Sequence, residues 1–329
     1  MNSTWGRKYR LSVFGESHGK GVGVVIDGLP AGFAVDFDAV SAELSRRAPG
    51  RDETSTPRRE SDRFEVFSGI MDGKTTGAPL MAMTRNADTR SGDYTPGIPR
   101  PGHADLVAML KYRNFNDFRG GGHFSGRLTA AIVFAGAIAK QILASRHGVA
   151  IISRAASIHG ETDPERQRAA VLEARARGDS VGGVIECIVT GVPVGWGEPI
   201  FHSAESELAA MMFSIPAVKG VEFGDGFGFA DKYGSEVSDG LGIDANGNVM
   251  HLANHNGGIN GGITNGETVV FRVAVKPTPT ISIPQKTVNL NTNEAIVHSF
   301  SGRHDPCIVP RALPVVECAA AIALMECGG

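Results

Sequence analysis

The segment that most restricts how this chain can fold is a helix predicted over residues 126–145, because it is apolar on nearly every side. Ser125 can cap its N-terminus, and a Gly-Gly-Gly turn at residues 120–122 precedes it. Its apolar side chains are Leu128, Ala131, Ile132, Ala135, Ile138, Ala139, Ile142 and Leu143. A helix with so little polar face is normally buried, so we expect it in the protein core.

The composition agrees with a large core. The chain has 329 residues, of which 42% are apolar and 20% charged, as is ordinary for a soluble globular protein. The formal net charge of -3 argues against broad nucleic-acid binding, which normally requires a basic domain. The first residues contain no apolar signal-peptide core and no eighteen consecutive residues are apolar, so we expect neither secretion nor membrane insertion. The four cysteines form no CxxC pair, which indicates reduced thiols and a cytoplasmic location.

Predicted strands and helices are mixed along the chain. Strands are predicted over residues 10–14, 21–29, 64–70, 79–84, 181–192 and 268–276. Helices are predicted from a cap at Asp36 to Arg47, between Asp163 and Gly178, and over residues 126–145, 203–212 and 314–326. Loops that carry motifs are spread from residue 15 to residue 311, with no repeat or obvious linker. We therefore predict the α+β class and a single domain over residues 1–329 with one composite site.

Two histidines lie in glycine-containing loops. His18 follows a predicted strand within Gly15-Glu16-Ser17-His18-Gly19, and His103 lies within Arg100-Pro101-Gly102-His103-Ala104-Asp105, at the end of a long loop over residues 85–102. An imidazole can change charge near neutral pH, so both are candidate acid/base groups. Alternatively, His18 is a loop histidine that bonds to backbone, and His103 is a metal ligand with Asp105, His304 and Asp305, although no HExxH spacing is present.

Six arginines lie within the eighteen residues from Arg46 to Arg63. The planar guanidinium grips phosphate or carboxylate in a bidentate way, so the cluster points to a small polyanionic ligand. Acidic residues such as Asp62 are interspersed with the arginines. We therefore expect part of the run to be a solvated, internally paired surface, and two of the six arginines to contact ligand.

The turn before the apolar helix is a second candidate anion site, because free N–H groups and the helix dipole meet there beside Ser125 and Arg127. It lacks the GK[ST] and GxGxxG patterns, which argues against ATP and NAD. Residues 220–266 contain thirteen glycines in forty-seven residues. Such density lets backbone approach a flat or charged ligand, or else forms tight hairpin turns.

Nine segments together resemble the chorismate synthase family, in order along almost the whole chain. They are Gly15-Glu16-Ser17-His18-Gly19, Arg47-Ala48-Pro49-Gly50, Pro57-Arg58-Arg59-Glu60, Arg100-Pro101-Gly102-His103-Ala104-Asp105, Gly120-Gly121-Gly122 with Ser125 and Arg127, Lys219-Gly220-Val221-Glu222-Phe223-Gly224-Asp225-Gly226, Gly257-Gly258-Ile259 with Gly261-Gly262-Ile263, Lys276-Pro277-Thr278, and Gly302-Arg303-His304-Asp305-Pro306. Any one could occur by chance, whereas nine in order leave little room for another family.

The resemblance implies a β-α-β sandwich that assembles as a homotetramer in the cytoplasm. It implies a lyase of the shikimate pathway, which leads to the aromatic amino acids. Such a lyase forms chorismate by 1,4-anti elimination of phosphate from 5-enolpyruvylshikimate 3-phosphate, with reduced FMN as cofactor and no net redox change. A separate flavin reductase or NADPH would supply the reduced flavin. No nucleic-acid or membrane partner is expected.

The resemblance also implies roles for individual residues. His103 would be the acid near the substrate phosphate, His18 would protonate or hold the reduced flavin, and Asp305 would take part in proton transfer. Substrate would be bound by Ser17, Arg47, Arg100, Arg127 and Arg303. Flavin would be contacted by His123, Phe124, Ser125, Ala217, Gly261, Lys276, Pro277, Thr278, Pro279, Thr280 and Arg303, and no metal is implied.

Two segments depart from the commonest family pattern. His123-Phe124-Ser125-Gly126-Arg127 stands where many members have Arg-Ser-Ser-Ala-Arg, and Pro279-Thr280 stands where many have two serines. Ser125 and Arg127 are kept, so the departures bear on flavin binding more than on activity. The chain also stops sooner than many members. The alternatives to the lyase are a catalytically inactive flavin- or anion-binding paralogue and a metal-dependent hydrolase.

Overall fold

The computed structural model describes residues 3–50, 62–87, 92, 94–300 and 305–328. Within these ranges the helices are α1 (Phe37–Arg47), α2 (Asp105–Lys111), α3 (Thr129–His147), α4 (Pro164–Ala176), α5 (Ala204–Phe213) and α6 (Val309–Cys327). The strands are β1 (Thr4–Trp5), β2 (Arg10–Gly15), β3 (Gly21–Asp27), β4 (Glu65–Val66), β5 (Ile70–Met71), β6 (Lys74–Thr75), β7 (Leu80–Arg85), β8 (Ala150–Ile158), β9 (Gly183–Thr190), β10 (Val218–Phe223), β11 (Leu241–Ile243), β12 (Val249–His251), β13 (Ile259–Asn260), β14 (Ile263–Thr264), β15 (Val269–Val275), β16 (Gln285–Asn289) and β17 (Glu294–His298).

Two antiparallel sheets form the outer layers of the fold. The first has the strand order β1-β2-β3-β7-β4, and the second has the order β10-β15-β9-β8. Alternate residues of a strand point to the same face. In the first sheet Val24 and Ile26 of β3 are fully buried, and in the second Phe271 and Val273 of β15 are fully buried. Each sheet therefore turns a β-branched and aromatic face toward the interior.

Two long helices lie between the sheets. Helix α3 packs against β2 and β3 of the first sheet, α6 packs against β8 and β9 of the second, and the two helices pack against each other and against α1. Every residue from Thr129 to Ala139 is buried, which confirms the predicted core helix. The layers make the β-α-β sandwich that the family resemblance implies, and they confirm the α+β class predicted from the mixed strands and helices.

Close packing joins the two central helices. A Cβ built on Gly136 of α3 would lie 2.3 Å from the Cβ of Cys318 in α6, so only glycine fits there. In the described part of the chain, Gly126–His147 is the one helix whose length and composition would let it cross a membrane, and 78% of its apolar window is buried inside the protein. Its apolar surface is thus already covered by the two sheets and by α6. All four cysteines are free thiols, as the sequence predicts.

A buried ion-pair network ties α1, α3 and α6 together. Glu317 of α6 accepts hydrogen bonds from Arg46 Nη1 and Nη2 at 2.7 and 2.8 Å and from Lys140 Nζ at 2.9 Å. Burial alone would raise the pKa of Glu317, but these cations outweigh it and lower that pKa to about 2. Arg46 thus belongs to the framework of the helical layer.

Most predicted element boundaries are close to the observed ones, with two exceptions. The Asp36 carboxylate caps α1 by accepting hydrogen bonds from the backbone N–H groups of Asp38 and Ala39, as predicted. The strand predicted over residues 64–70 is wrong, because the positive φ of Gly69 (+82°) interrupts it and only the short strands β4 and β5 form. Helix α6 begins five residues before Pro314, so this proline lies inside the helix.

Candidate active site

A cavity of about 690 Å³ opens where the first turns of α3 and α6 meet the end of α1. Its remaining walls come from the segment around His103, the connection from α5 to β10, and the residues that follow β15. A second cavity of about 680 Å³ lies on the other side of Tyr94 and Arg100, and neither His103 nor Arg47 lines it. The first cavity is therefore the one in which the predicted acid and the predicted anion-binding arginines meet.

The glycine turn before α3 separates the two candidate histidines. Gly120, Gly121 and Gly122 all have positive φ, at 60°, 78° and 53°. A Cβ built on Gly120 would lie 2.4 Å from Cδ2 of His18, and one on Gly121 would lie 3.0 Å from Cε1 of His103. Side chains at either position would displace an imidazole. The turn is thus needed for its backbone conformation and for its lack of side chains.

His103 is held by a carboxylate that also holds an arginine. His103 Nδ1 lies 2.6 Å from Asp105 Oδ1, and Arg100 donates to both carboxylate oxygens through Nη2 (2.8 Å) and Nε (2.7 Å). Burial by itself would raise the pKa of the Asp105 carboxyl, but the hydrogen bonds from Arg100 and His103 hold that pKa well below its usual range. Asp105 is therefore an ionised anchor for both side chains.

Arg47 and Arg127 share a second buried carboxylate. Arg47 Nη1 forms a salt bridge with one oxygen of Asp62 and Arg127 Nη1 with the other, and no side chain of the three is more than 3% exposed. Burial alone would raise the pKa of Asp62, but the two arginines lower it. Asp62 thus holds both guanidinium groups at the wall of the cavity, which both arginines line. The Arg47–Asp62 pair is one of the internal pairs expected within the arginine run, but it is buried and not solvated, since Asp62 is 1% exposed.

His18 and Ser17 lie behind the glycine turn and do not line the cavity wall. The His18 ring packs edge-on against Tyr94 with a centroid distance of 5.4 Å, and the Arg100 guanidinium lies 5.2 Å from the centroid of the same tyrosine ring. Ser17 is fully buried, and its Oγ has no hydrogen-bond partner among the described residues. A buried hydroxyl without a partner is a candidate ligand contact.

Asp305 lines the cavity at the start of α6. Its carboxylate forms a salt bridge with Arg311 Nη1, and Arg311 Nε donates a hydrogen bond of 3.1 Å to the backbone carbonyl of Arg47. Arg311 therefore links Asp305 to the end of α1. Arg303 lies outside the described residues, so its predicted contacts with substrate and flavin stay predictions.

The structure brings most of the predicted flavin contacts together. Those that line the cavity are His123, Phe124, Ser125, Ala217, Lys276, Thr278, Pro279 and Thr280. Pro277 and Gly261 do not line it, and Gly261 lies in the turn between β13 and β14. Their predicted flavin contacts have no support from this cavity.

Several polar atoms on that wall have defined partners. Lys276 Nζ donates a 2.6 Å hydrogen bond to the Gly102 carbonyl, whereas the buried Thr278 Oγ1 has no partner in the described part of the chain. The His123 ring contacts Ser3 Oγ at 3.2 Å and the Gly15 carbonyl at 2.9 Å.

Sequence reasoning missed three residues of the site: Asp62, Tyr94 and Arg311. The Glu60-Ser61-Asp62 continuation of the arginine motif is the signal that could have indicated Asp62. The alternative metal site is not formed by Asp105, which is occupied by Arg100 and His103. Within the described ranges no three His, Cys, Asp or Glu side chains gather in a way that could hold a metal ion, and His304 lies outside those ranges.

Comparison with known proteins places this chain in a family. A family model described as chorismate synthase matches residues 9–328. A chorismate synthase of Chitinophaga pinensis is 48% identical, and one of Methanocaldococcus jannaschii is 44% identical, each over 99% of this chain and 96% of its own length. A crystal structure of chorismate synthase aligns with a TM-score of 0.74 and 31% identity over 98% of this chain and 92% of its own. The sequence and the fold agree, and the chain belongs to the chorismate synthase family.

Proposed function

We propose that this enzyme forms chorismate by 1,4-anti elimination of phosphate from 5-enolpyruvylshikimate 3-phosphate, with bound reduced FMN and no net redox change. The family assignment supports a chorismate-forming lyase of the shikimate pathway. The observation that carries the finer proposal is the cavity itself, where His103 in its Asp105–Arg100 support lies beside the buried Arg47–Asp62–Arg127 cluster.

The residues of the cavity fit a flavin mononucleotide. Its volume of about 690 Å³ lies within the range of small-molecule sites. The apolar side chains of Ile215, Ala217 and Val315 line it and can cover a flat ring. Lys276 and the unpartnered Thr278 hydroxyl can receive a phosphate or a ring polar atom. Bound there, reduced FMN would supply an electron-rich ring that stabilises the positive charge developing on the substrate as phosphate leaves.

The protein side chains supply binding and proton transfer. The elimination breaks a C–O bond to phosphate at one end of a C=C unit of the ring and a C–H bond at its other end, and the C–H electrons shift to form the conjugated diene of the product. Negative charge therefore grows on the phosphate oxygen. Arg47 and Arg127 can stabilise that charge without rearranging, because Asp62 already holds their guanidinium groups in place. His103 would donate a proton to the departing phosphate, and Asp305, which lines the same cavity, would take part in transferring the proton that leaves carbon.

Further properties follow from the family and belong to the same proposal. The chain would act as one domain and as a homotetramer in the cytoplasm, and its flavin would be reduced by a separate reductase or by NADPH. The His123-Phe124 and Pro279-Thr280 departures are compatible with flavin binding because all four side chains line the cavity.

The deciding experiment is anaerobic turnover. Purified protein, dithionite-reduced FMN and 5-enolpyruvylshikimate 3-phosphate are mixed, and chorismate absorbance and released phosphate are followed together. We expect equal amounts of both products with reduced FMN and none with oxidised FMN. Flavin binding without any product would favour the inactive paralogue. Phosphate release without chorismate, independent of flavin and dependent on added metal, would favour the hydrolase.

A further inference from the structure

We infer that Asp105 is a positioning residue of the elimination, which fixes His103 as the Nδ1–H tautomer and so leaves Nε2 as the nitrogen that delivers the proton. The inference deepens the proposed function and rests on it for the identity of the proton acceptor. Its structural part concerns a hydrogen bond in the free protein and can be judged without turnover.

The Asp105 carboxylate has a full set of donors. Oδ2 accepts from Arg100 Nε at 2.7 Å and from the Arg100 backbone N–H at 3.1 Å. Oδ1 accepts from Arg100 Nη2 at 2.8 Å and faces His103 Nδ1 at 2.6 Å. A carboxylate offers about four lone-pair directions, and these four contacts use all of them. The carboxylate therefore accepts three hydrogen bonds from Arg100, and His103 supplies the fourth donor.

The short contact locates the proton on the imidazole. An ionised carboxylate can only accept, so a nitrogen 2.6 Å from Oδ1 must carry hydrogen. Arg100 Nη2 also lies 3.1 Å from Nδ1, but a guanidinium cannot accept and already donates to the same Oδ1. The Arg100 contact with His103 is thus a consequence of two donors sharing one oxygen.

The remaining ring nitrogen, Nε2 of His103, is free to transfer a proton to a ligand in the cavity. His103 lines the cavity and its side chain is 17% exposed. Nε2 faces Gly121, whose missing side chain leaves room for the ring. In the elimination, the Nε2–H bond of the imidazolium would break as an O–H bond forms on the leaving phosphate. The ring would end neutral with its proton on Nδ1, still donating to Asp105, so no second rearrangement of the ring is needed.

The first test uses the wild-type protein without ligand. Nitrogen-15 NMR of the histidine rings, recorded where His103 is neutral, distinguishes the two tautomers. We expect the Nδ1–H form for His103, and an Nε2–H form would overturn the inference. This readout stands even if turnover fails, so failure of the proposed function and failure of the inference remain distinguishable.

The second test changes the partner. In Asp105→Asn the amide NH2 can donate to Nδ1, so we expect the tautomer to reverse. We expect kcat at saturating substrate to fall by about 10²–10⁴-fold, as for lost acid catalysis. Reduced-FMN affinity should change little, and Asp105→Glu should recover part of kcat. A normal kcat in folded Asp105→Asn, or a loss confined to KM, would contradict the inference.

The chain offers a matched control. His202 Nδ1 lies 2.6 Å from Glu207 Oε1, which also accepts from Arg7 Nη2 at 3.3 Å, and none of the three residues lines the cavity. Glu207→Gln should therefore change the His202 ring signals and leave kcat unchanged. Loss of kcat in this variant as well would show that the Asp105 effect is general destabilisation.

Discussion

Gly120 packs directly against the imidazole of His18, with no room between them for a methyl group. A Cβ on this glycine would lie 2.4 Å from His18 Cδ2 and 2.9 Å from Ser17 Oγ. A Cβ on the next residue, Gly121, would lie 3.0 Å from His103 Cε1, a less severe but still tight approach. Two consecutive backbone units therefore set the positions of both histidines.

Gly120→Ala and Gly121→Ala should each lose most activity. The positive φ alone costs a non-glycine residue about 1–2 kcal/mol, and the new methyl group would displace an imidazole. Gly228→Ala is the control, because no atom lies within 4 Å of its Cβ position and its φ is not positive. Melting temperature and kcat/KM should both fall in the first two variants and stay unchanged in the third. Normal turnover in Gly120→Ala would show that the placement of His18 is not critical.

His103→Ala should slow turnover by about 10²–10⁴-fold, the usual worth of a general acid. Flavin binding should be affected far less, because His103 is anchored to Asp105 and Arg100. Stopped-flow turnover and fluorescence titration with FMN measure the two quantities separately. Equal losses in both would refute the assigned role.

Ser17→Ala should separate ligand binding from stability. The buried Ser17 hydroxyl has no partner among the described residues, so its removal should leave the free energy of unfolding unchanged or raise it by up to about 1 kcal/mol. We expect kcat/KM to fall about 10–100-fold, the equivalent of one hydrogen bond to a charged ligand group.

The contrasting hydroxyl is Thr264 Oγ1, which donates to the Pro193 carbonyl at 2.7 Å and accepts from Trp196 N at 2.9 Å. Thr264→Val should cost about 1–3 kcal/mol of stability and spare activity. If Ser17→Ala instead behaved like Thr264→Val, the Ser17 hydroxyl would have a purely structural role.

Asp62→Asn should destabilise the fold and weaken substrate binding together. The amide has one accepting oxygen in place of two and removes the negative charge between the Arg47 and Arg127 guanidinium groups, so we expect a cost of about 3–5 kcal/mol. Asp27→Asn, at the partly exposed Arg10–Asp27 pair, should cost less than about 1 kcal/mol. Urea unfolding and the KM for substrate report the two effects. An unchanged KM in folded Asp62→Asn would separate Asp62 from the anion site.

Glu317→Gln should make the free energy of unfolding depend less on pH in the acid range. The pKa of Glu317 is lowered to about 2 in the folded protein, against an ordinary value of about 4.3. The unfolded chain binds the proton more tightly, so this stabilisation is complete above about pH 4.3 and is lost as pH falls toward about 2. Denaturant unfolding at several pH values should show a shallower acid slope in the variant, and equal slopes would refute the low pKa.

The sequence predicts where helices and strands lie better than it predicts how they pack against one another. Asp36 and Ser203 are recognisable caps because capping is local. Pro314 suggests a helix start, but Pro310 already stands in the first turn of α6, and packing between the sheets carries the helix through Pro314. Neither helix propensity nor hydrophobic periodicity can show that packing continues a helix through a proline.

The site residues likewise fall into those that a local motif indicates and those whose role depends on tertiary contacts. His103, Arg47 and Arg127 are indicated by motif and chemistry, and the structure brings them to one cavity. Asp62 appears on sequence as one acid among several, because its burial depends on two arginines 15 and 65 residues away. Arg311 also contacts Arg47 and Tyr94 also contacts His18, and these partners are 264 and 76 residues away, so no local pattern shows that the two residues join parts of the site.

The contact between Gly136 and Cys318 affects the cavity as well as the core. Helix α3 begins two residues after Arg127, and α6 begins four residues after Asp305. The crossing of these helices therefore helps to fix the distance between two walls of the cavity. A larger residue in place of Gly136 would widen that gap without touching any residue that binds ligand. The two positions should therefore be constrained jointly in evolution, with a gain in volume at one tolerated only beside a loss at the other.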